Sequence, residues 1–168
     1  MISSNRPYAE RVSALIGDPA RLKVLEDYEI LDSPPEPRFD DLVTVAREIC
    51  GTQVALVTFV LEDRQWFKAR AGVDVDETPI SHSVCAHAIA QGATLIIPDL
   101  SRDDRTKDNP LVTGEPFIRF YAGALLRTPT GEDLGTLCVI DTKPRPEGLT
   151  HAQTLCLEAL ARQVVQLM

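Results

Sequence analysis

The sequence predicts an α+β fold, in which helices from both ends of the chain cover one face of a central antiparallel sheet of five or six strands. The segment 117–145 reads as two strands joined by a turn, and both strands carry apolar side chains on both faces. The segment 53–61 is a further valine-rich run, typical of a central strand. Helical spacing of apolar residues is clearest in 36–50 and after residue 150.

Two helices are predicted before the first strand. Asp18 can cap a short helix that has Pro19 at its first position. A longer helix is predicted over 36–50, with Gly51 as its C-terminal stop. Its apolar face is formed by Phe39, Leu42, Val43, Ala46, Ile49 and Cys50. Residues 1–17 are expected to form an N-terminal arm or a short helix of a preceding linker.

The middle of the chain is predicted to alternate short elements with polar turns. In order these are a strand over 53–61, a strand over 65–71, an acidic loop at 72–79, a short helix over 84–91 capped by Ser83, a strand over 94–97 and a polar stretch at 101–114 with one helical turn. The crossover 72–116 must lie over the face of the sheet that the terminal helices leave open. We expect it to roof a small-ligand pocket.

The predicted hairpin carries two features that are unusual for the core of a sheet. Arg119 lies between aromatic residues on a strand that should be covered on both faces. Gly123 and Gly135 weaken their strands unless something else approaches the backbone there. Both features indicate a covered cavity beside the hairpin.

The last predicted helix begins with a capping box made by Thr150 and Gln153. Its apolar residues follow a heptad seam of Leu157, Leu160, Val164 and Leu167. This seam predicts a homodimer through a helical bundle, and the alternative is plain contact with the core of the same chain.

Composition excludes several classes of function. The 168 residues suffice for one domain, and a net charge of -8 argues against nucleic acid and against an anionic membrane surface as partners. No apolar run approaches the ~20 residues of a membrane span, and the N-terminus lacks a signal-peptide core. The four cysteines are widely spaced, which predicts reduced thiols and a cytoplasmic location.

Several motifs arrive in the order found in one known family. They lie at 31–36 (LDSPPE), 39–42 (FDDL), 63–68 (DRQWFK), 83–89 (SVCAHAI), 108–112 (DNPLV), 118–124 (IRFYAGA) and 134–141 (LGTLCVID). The chain from about residue 18 to 167 therefore resembles GAF domains, of the type found at the N-terminus of bacterial sensor histidine kinases and cyclic-dinucleotide signalling enzymes.

The resemblance implies a single GAF domain over 18–168 that is a small-molecule sensory input module and is not catalytic by itself. It implies a homodimer through the terminal helices, and a C-terminal output domain, which the last helix would join. The expected whole protein is a sensor histidine kinase of a two-component system, or a diguanylate cyclase. No metal, bilin or haem is expected.

Seven residues are candidates for binding the unidentified ligand. They are Trp66, Cys85, His87, Asn109, Arg119, Tyr121 and Asp141. Arg119 offers a planar donor fork for an anionic ligand, with Tyr121 and Trp66 as walls. The alternative for Arg119 is an internal salt bridge to one of three carboxylates, those of Asp99, Asp108 and Asp141.

Cys85 lies near a predicted helix N-terminus, where a thiol is a candidate nucleophile or covalent anchor. The alternative is a small buried core residue. Bilin-binding GAF domains typically have adjacent Cys and His, whereas Ala86 separates Cys85 from His87.

Two other functions stay open. Free methionine-R-sulfoxide reductases are also GAF proteins, and their Gly-Val-Cys segment resembles 83–85, so a thiol reductase using Cys85 is one alternative. Their further cysteine lies in the strand before the roof loop, and 95–99 has none. The other alternative is a ligand-free structural dimerisation module, with side chains filling the pocket. The acidic residues Asp103, Asp104 and Asp108 do not have the spacing of a calcium loop.

Overall fold

The computed structural model of the protein describes residues 7–168. The described strands are β1 (Val54–Val60), β2 (Arg64–Ala71), β3 (Glu77–Pro79), β4 (Leu95–Ile97), β5 (Phe120–Arg127) and β6 (Asp133–Asp141). The described helices are α1 (Tyr8–Ile16), α2 (Pro19–Asp27), α3 (Pro37–Cys50), α4 (Cys85–Gln91), α5 (Pro110–Thr113) and α6 (His151–Leu167). The strands form one antiparallel sheet in the order β3-β2-β1-β6-β5-β4. The predicted α+β class, sheet and central hairpin are confirmed.

The sheet separates two apolar cores. On one face, α3 and α6 pack against the central strands, and Phe39, Phe59 and Leu157 are fully buried there. On the other face, α4 packs against β5 and β6 and covers Tyr121 and Cys138. Because both faces are covered, the central strands are apolar on both sides, as the sequence of the hairpin predicts.

The helix ends follow local sequence signals. The carboxylate of Asp18 accepts a hydrogen bond from the Ala20 N–H, and the capping box of Thr150 and Gln153 is formed in both directions. Gly51 ends α3 with a φ of 62°, a left-handed conformation that favours glycine. These three predicted ends are confirmed.

Strand β3 is missing from the sequence prediction, which assigned 72–79 to an acidic loop. Its three residues pair with β2 at the edge of the sheet and lack an apolar pattern. A short, polar edge strand has no sequence pattern of its own and is recognised only by its pairing with a neighbouring strand. In this pair, Gln65 Nε2 of β2 donates to Thr78 Oγ1 of β3 at 2.6 Å.

Helix α1 lies on the roof side of the sheet, a position that the sequence analysis did not assign. The segment 1–17 was expected to be an arm or short helix; residues 8–16 form a helix, and 1–6 lie outside the described residues. This helix contacts α4, and Val12 and Ile16 join the apolar core beneath α4. The three predicted end helices, α2, α3 and α6, share the core on one face as expected, whereas α1 completes the roof of the opposite face.

The heptad seam of α6 faces the core of its own chain. Leu157 and Val164 are fully buried against the sheet, and Leu160 and Leu167 pack at the edge of the same core. The reading of this seam as a dimer contact is therefore corrected, because burying it against a second chain would empty the core of the first.

Candidate functional site

Tyr121 occupies the space in which the sequence analysis expected a pocket. A Cβ atom on Gly123 would lie 2.2 Å from Tyr121 Oη and 2.8 Å from its Cζ, so the phenol ring lies over Gly123. Tyr121 itself is fully buried. Gly123 is thus the residue that makes room for the ring, and the covered cavity predicted beside the hairpin is filled by a side chain of the hairpin.

Cys85 lies at the centre of a buried polar cluster. The Tyr121 hydroxyl donates to Cys85 Sγ at 3.3 Å, and the Thr136 hydroxyl donates to the same atom at 3.1 Å. Cys138 Sγ lies 4.0 Å from Cys85 Sγ, and Thr58 Oγ1 lies 3.9 Å from Cys138 Sγ. We call these five residues the thiol cluster, and all five are buried.

The thiol cluster favours the thiolate form of Cys85 over that of Cys138. Hydrogen bonding with the Cys138 thiol is the main cause that lowers the pKa of Cys85 to about 7, and the hydroxyls of Thr136 and Tyr121 act in the same direction against burial. The same thiol pairing, together with burial, raises the pKa of Cys138. Burial raises the pKa of Tyr121, so its hydroxyl stays a donor.

Ser83 fixes the start of α4 above the sheet. Its hydroxyl oxygen accepts a hydrogen bond from the Ala86 N–H at 3.1 Å and donates to Gln65 Oε1 at 2.8 Å. The predicted Ser83 cap is therefore confirmed. Because Gln65 belongs to β2, this link holds the first turn of α4, and with it Cys85, at a fixed height over the strands.

His87 contacts α1 and not the thiol cluster. Its Nδ1 lies 2.8 Å from Tyr8 Oη, and the two rings stack with their centroids 5.6 Å apart. Burial, and then the nearby Arg105 guanidinium, lower the pKa of His87, which favours the neutral imidazole beside the Tyr8 hydroxyl. Both residues line a cleft of about 500 Å³ between α1 and α4.

Trp66 and Tyr121 are separated by the sheet. Trp66 belongs to the core under α3 and α6, where its ring stacks on Phe59 at a centroid distance of 6.3 Å. Tyr121 belongs to the core under α4. The two residues therefore cannot be walls of one pocket, since they pack in cores on opposite faces of the sheet.

Asn109 supports the backbone of the roof. Its side-chain oxygen accepts from the Leu111 N–H at 2.9 Å, and its Nδ2 donates to the His82 carbonyl at 3.2 Å. Asn109 is thereby the cap of α5 and the link between α5 and the turn before α4.

Arg119 is held by carbonyl groups. Its Nη1 donates to Val112 O and to Ile118 O, each at 2.9 Å. Asp141, a predicted alternative partner, instead lies 3.5 Å from Arg145 Nη2. The structure therefore places neither Arg119 nor Asp141 in the thiol cluster.

Sequence reasoning missed Cys138 and Thr136 as neighbours of Cys85. A second thiol was expected only in 95–99, the segment that corresponds to a cysteine-bearing strand of the free methionine-R-sulfoxide reductases. The signal was present in the hairpin register, in which Gly123 pairs with Cys138 and Leu125 with Thr136. Residues that alternate along β6 share a face with Tyr121, so both could have been placed in the cavity.

The pKa of Cys85 predicts how stability depends on pH. The folded value of about 7 lies below the ordinary thiol value of 9.0, so between these pH values the unfolded chain binds more protons than the folded one. Stability should therefore rise from about pH 7 to about pH 9, and this contribution is lost as the pH falls through the folded value. Above that window the raised pKa values of Cys138 and Cys50 act in the opposite direction.

The measurement is urea unfolding across this pH range, with the Cys85→Ser variant as control. The variant should lack the rise between neutral and alkaline pH. The opposing contribution of Cys138 above that window should also shrink, because the pairing with Cys85 that raises its pKa is lost. An identical rise in the wild type and in Cys85→Ser would contradict the assignment of the low pKa to Cys85.

The six-stranded sheet, with a helical layer on one face and a filled, roofed cavity on the other, defines a small α+β module. The profile of the GAF domain family matches residues 34–168. The chain therefore belongs to the GAF domain family, a family of regulatory sensory modules, as the motifs of the sequence predict.

Among curated proteins, the chain is 38% identical over 146 residues to a cyclic di-GMP phosphodiesterase of Pseudomonas aeruginosa. The match covers 87% of this chain and 25% of that protein, so the chain spans about a quarter of the length of this relative. The relation connects the chain to a multidomain signalling protein.

Several solved structures share the fold. The GAF domain of the Acinetobacter phosphoenolpyruvate-protein phosphotransferase superposes with a TM-score of 0.62 at 18% identity, covering 88% of this chain and 92% of that one. The free methionine-R-sulfoxide reductase of Neisseria meningitidis, solved with its substrate, gives a TM-score of 0.59 at 18% identity, covering 76% and 74%. The GAF domain of Thermosynechococcus elongatus PixJ gives 0.62 at 16%, covering 78% and 82%.

Within residues 7–168, each helix is too short or too polar to cross a lipid bilayer.

Proposed function

We propose that this chain is the sensory input module of a bacterial protein that controls the level of a cyclic dinucleotide. The observation that carries the proposal is the 38% identity over 146 residues to part of a cyclic di-GMP phosphodiesterase. It favours a cyclic-dinucleotide enzyme as the whole protein over the sensor histidine kinase expected from the motifs. The module itself regulates, and the output domain carries the activity.

The sheet offers a route for the signal. Helix α4 packs on β5 and β6 from the roof side, and α6 packs on the same two strands from the opposite side. A change that moves α4 would therefore alter the preferred position of α6. We propose that α6 connects the module to the output domain. A signal can shift α6 only to the extent that it binds or stabilises one position of α4 more than the other.

The test is a chimera in which this chain replaces the matching segment of the Pseudomonas aeruginosa phosphodiesterase. Hydrolysis of cyclic di-GMP is compared between the chimera and a chimera carrying Gly123→Ala, which displaces Tyr121 beneath α4. We expect the two rates to differ several-fold while both proteins stay folded. Equal rates, in folded proteins, would count against a regulatory role for the domain.

A small-molecule ligand, if the module takes one, is proposed to bind in the cleft between α1 and α4. Its volume of about 500 Å³ suits a small molecule, and it contains His87, whereas the remaining candidates lie elsewhere. Native mass spectrometry of the purified chain should show extra mass that His87→Ala loses. A closed, ligand-free module is the second candidate, favoured by the burial of Tyr121 over Gly123.

We further propose that the module forms a homodimer through the outer face of α3 and α6. Three large apolar side chains are exposed on these two helices, namely Val45, Ile49 and Leu155. The helices are tied together where Gln153 Nε2 donates to the Ile49 carbonyl at 3.1 Å. A second copy of the same face would cover these side chains without disturbing the core.

The prediction is that Leu155→Glu weakens the dimer by at least about tenfold, since it introduces a like pair of charges at an apolar contact. Sedimentation velocity measures the effect. Val75→Glu is the matched control, because Val75 is equally exposed at 51% but lies in a loop before β3. A monomeric wild type, or equal effects of both variants, would rule this face out.

A further inference from the structure

The two thiols of the thiol cluster lie close to each other. Cys85 Sγ and Cys138 Sγ lie 4.0 Å apart, whereas a disulfide bond is about 2.05 Å long. The thiols belong to different layers, one at the start of α4 and the other in the middle of β6. A displacement of about 2 Å, shared between the two side chains and the first turn of α4, would join the layers.

We propose that Cys85 and Cys138 form a peroxide-sensitive thiol pair, which closes to an intramolecular disulfide. The geometry carries this proposal: two thiols face each other in an enclosed space, and two hydroxyl groups point at one of them. The donors are Thr136 and Tyr121, at 3.1 Å and 3.3 Å from Cys85 Sγ. Hydroxyl donors stabilise a thiolate, the reactive form of cysteine.

The chemistry needs only a peroxide as oxidant. The Cys85 thiolate attacks one oxygen of the peroxide, the O–O bond breaks, and the sulfenic acid of Cys85 forms with release of hydroxide. The Cys138 thiol, after giving its proton to that hydroxide, attacks the sulfenic sulfur and releases a second hydroxide, which takes up a proton as water. In total, two thiols lose two electrons and two protons, and hydrogen peroxide becomes two water molecules.

The other two cysteines provide an internal comparison. Cys50 is buried at the end of α3, where burial raises its pKa to about 11, and Cys156 lies near it on α6. Cys50 therefore holds little thiolate at neutral pH. Cys85 should react with peroxide more than about a hundredfold faster than Cys50, because reaction requires the thiolate.

Access to the pair depends on α1. Val12 and Ile16 of this helix belong to the same apolar core as Cys85, and Cys85 is only 3% exposed. Peroxide must therefore reach the thiols through local opening of the roof, of which α1 forms the outer layer. Loosening α1 is expected to speed the oxidation without changing its product.

The disulfide would move α4 relative to β6. Its use as a signal rests on the proposed sensory function. As chemistry, it is independent of any output domain. The experiment below measures the chemistry on this chain alone, whereas the chimera measures transmission, so the two ideas fail separately.

The test uses the chain with Cys50→Ala and Cys156→Ala, treated with hydrogen peroxide at neutral pH and then unfolded in the presence of an alkylating reagent. We expect a mass loss of about 2 Da without alkylation, and a peptide linking Cys85 to Cys138 that a reductant separates. The matched control is Cys85→Ala with Cys138→Ala, in which only Cys50 and Cys156 remain. It should stay reduced under the same conditions.

Two outcomes would overturn the proposal. One is a gain of about 16 or 32 Da on Cys85 with Cys138 still alkylated, which would mean oxidation without a partner thiol. The other is a fully alkylated pair after peroxide treatment. Peptide mapping of the unsubstituted chain repeats the measurement, so a folding defect in a variant does not decide the result.

Discussion

Replacing Gly135 by alanine is expected to destabilise the domain by at least about 4 kcal/mol, enough to unfold many domains of this size. A Cβ atom at this position would lie 1.8 Å from Thr58 O and 2.9 Å from Phe59 Cα. These are backbone atoms of β1, which pairs with β6 at the centre of the sheet. A clash with backbone can be relieved only by separating the two strands, whereas a clash with a flexible side chain can be relieved by rotation.

Urea unfolding measures this effect, and Gly131→Ala is its control. Gly131 lies in the turn between β5 and β6, and a Cβ there would meet nothing within 4 Å. Its φ of +95° makes alanine unfavourable by about 1 kcal/mol or slightly more. If Gly135→Ala lowers the free energy of unfolding no more than Gly131→Ala does, then β1 and β6 do not approach each other closely at this position.

The two strand glycines show how far the sequence alone could lead. Both were recognised as positions at which something approaches the backbone, and both are such positions. The sequence analysis took them as signs of a ligand cavity, whereas Gly135 is approached by a neighbouring strand and Gly123 by the ring of Tyr121. A glycine in a strand indicates a close neighbour without saying whether that neighbour is protein or ligand.

Local patterns predicted the elements that local interactions determine. The caps at Asp18 and Thr150 and the hairpin are of this kind. The thiol cluster is different, because Cys85 and Cys138 are 53 residues apart and meet only when α4 folds over β6. Helix α1 begins without a side-chain cap, and its place on the roof depends on contacts with α4, which lies about 70 residues further along the chain.

Arg21→Met is expected to lower the free energy of unfolding by about 3 kcal/mol, since it removes two charge-assisted hydrogen bonds from buried carbonyl groups. Arg21 Nη2 donates to Ile16 O at 2.6 Å and to Val60 O at 2.7 Å. The first carbonyl ends α1 and the second ends β1. Burial lowers the pKa of Arg21 to about 10, which leaves the guanidinium charged at neutral pH.

The control for Arg21→Met lies two residues further along the same helix. Lys23→Met removes a cation that pairs with Asp27 at 2.7 Å on the solvent side, and it should leave the free energy of unfolding nearly unchanged, because water screens an exposed ion pair. Equal effects of the two substitutions in urea unfolding would show that the buried position of Arg21 has no special role.

The loss of Arg21 should also be visible in α1 itself. Because Arg21 connects the last turn of α1 to the end of β1, amide hydrogen exchange in 8–16 should accelerate more than the global change in stability requires. The same opening uncovers the roof over Cys85, so peroxide should close the Cys85–Cys138 pair faster in Arg21→Met than in Lys23→Met. Faster exchange in α1 without faster oxidation would show that peroxide reaches the thiols by another path.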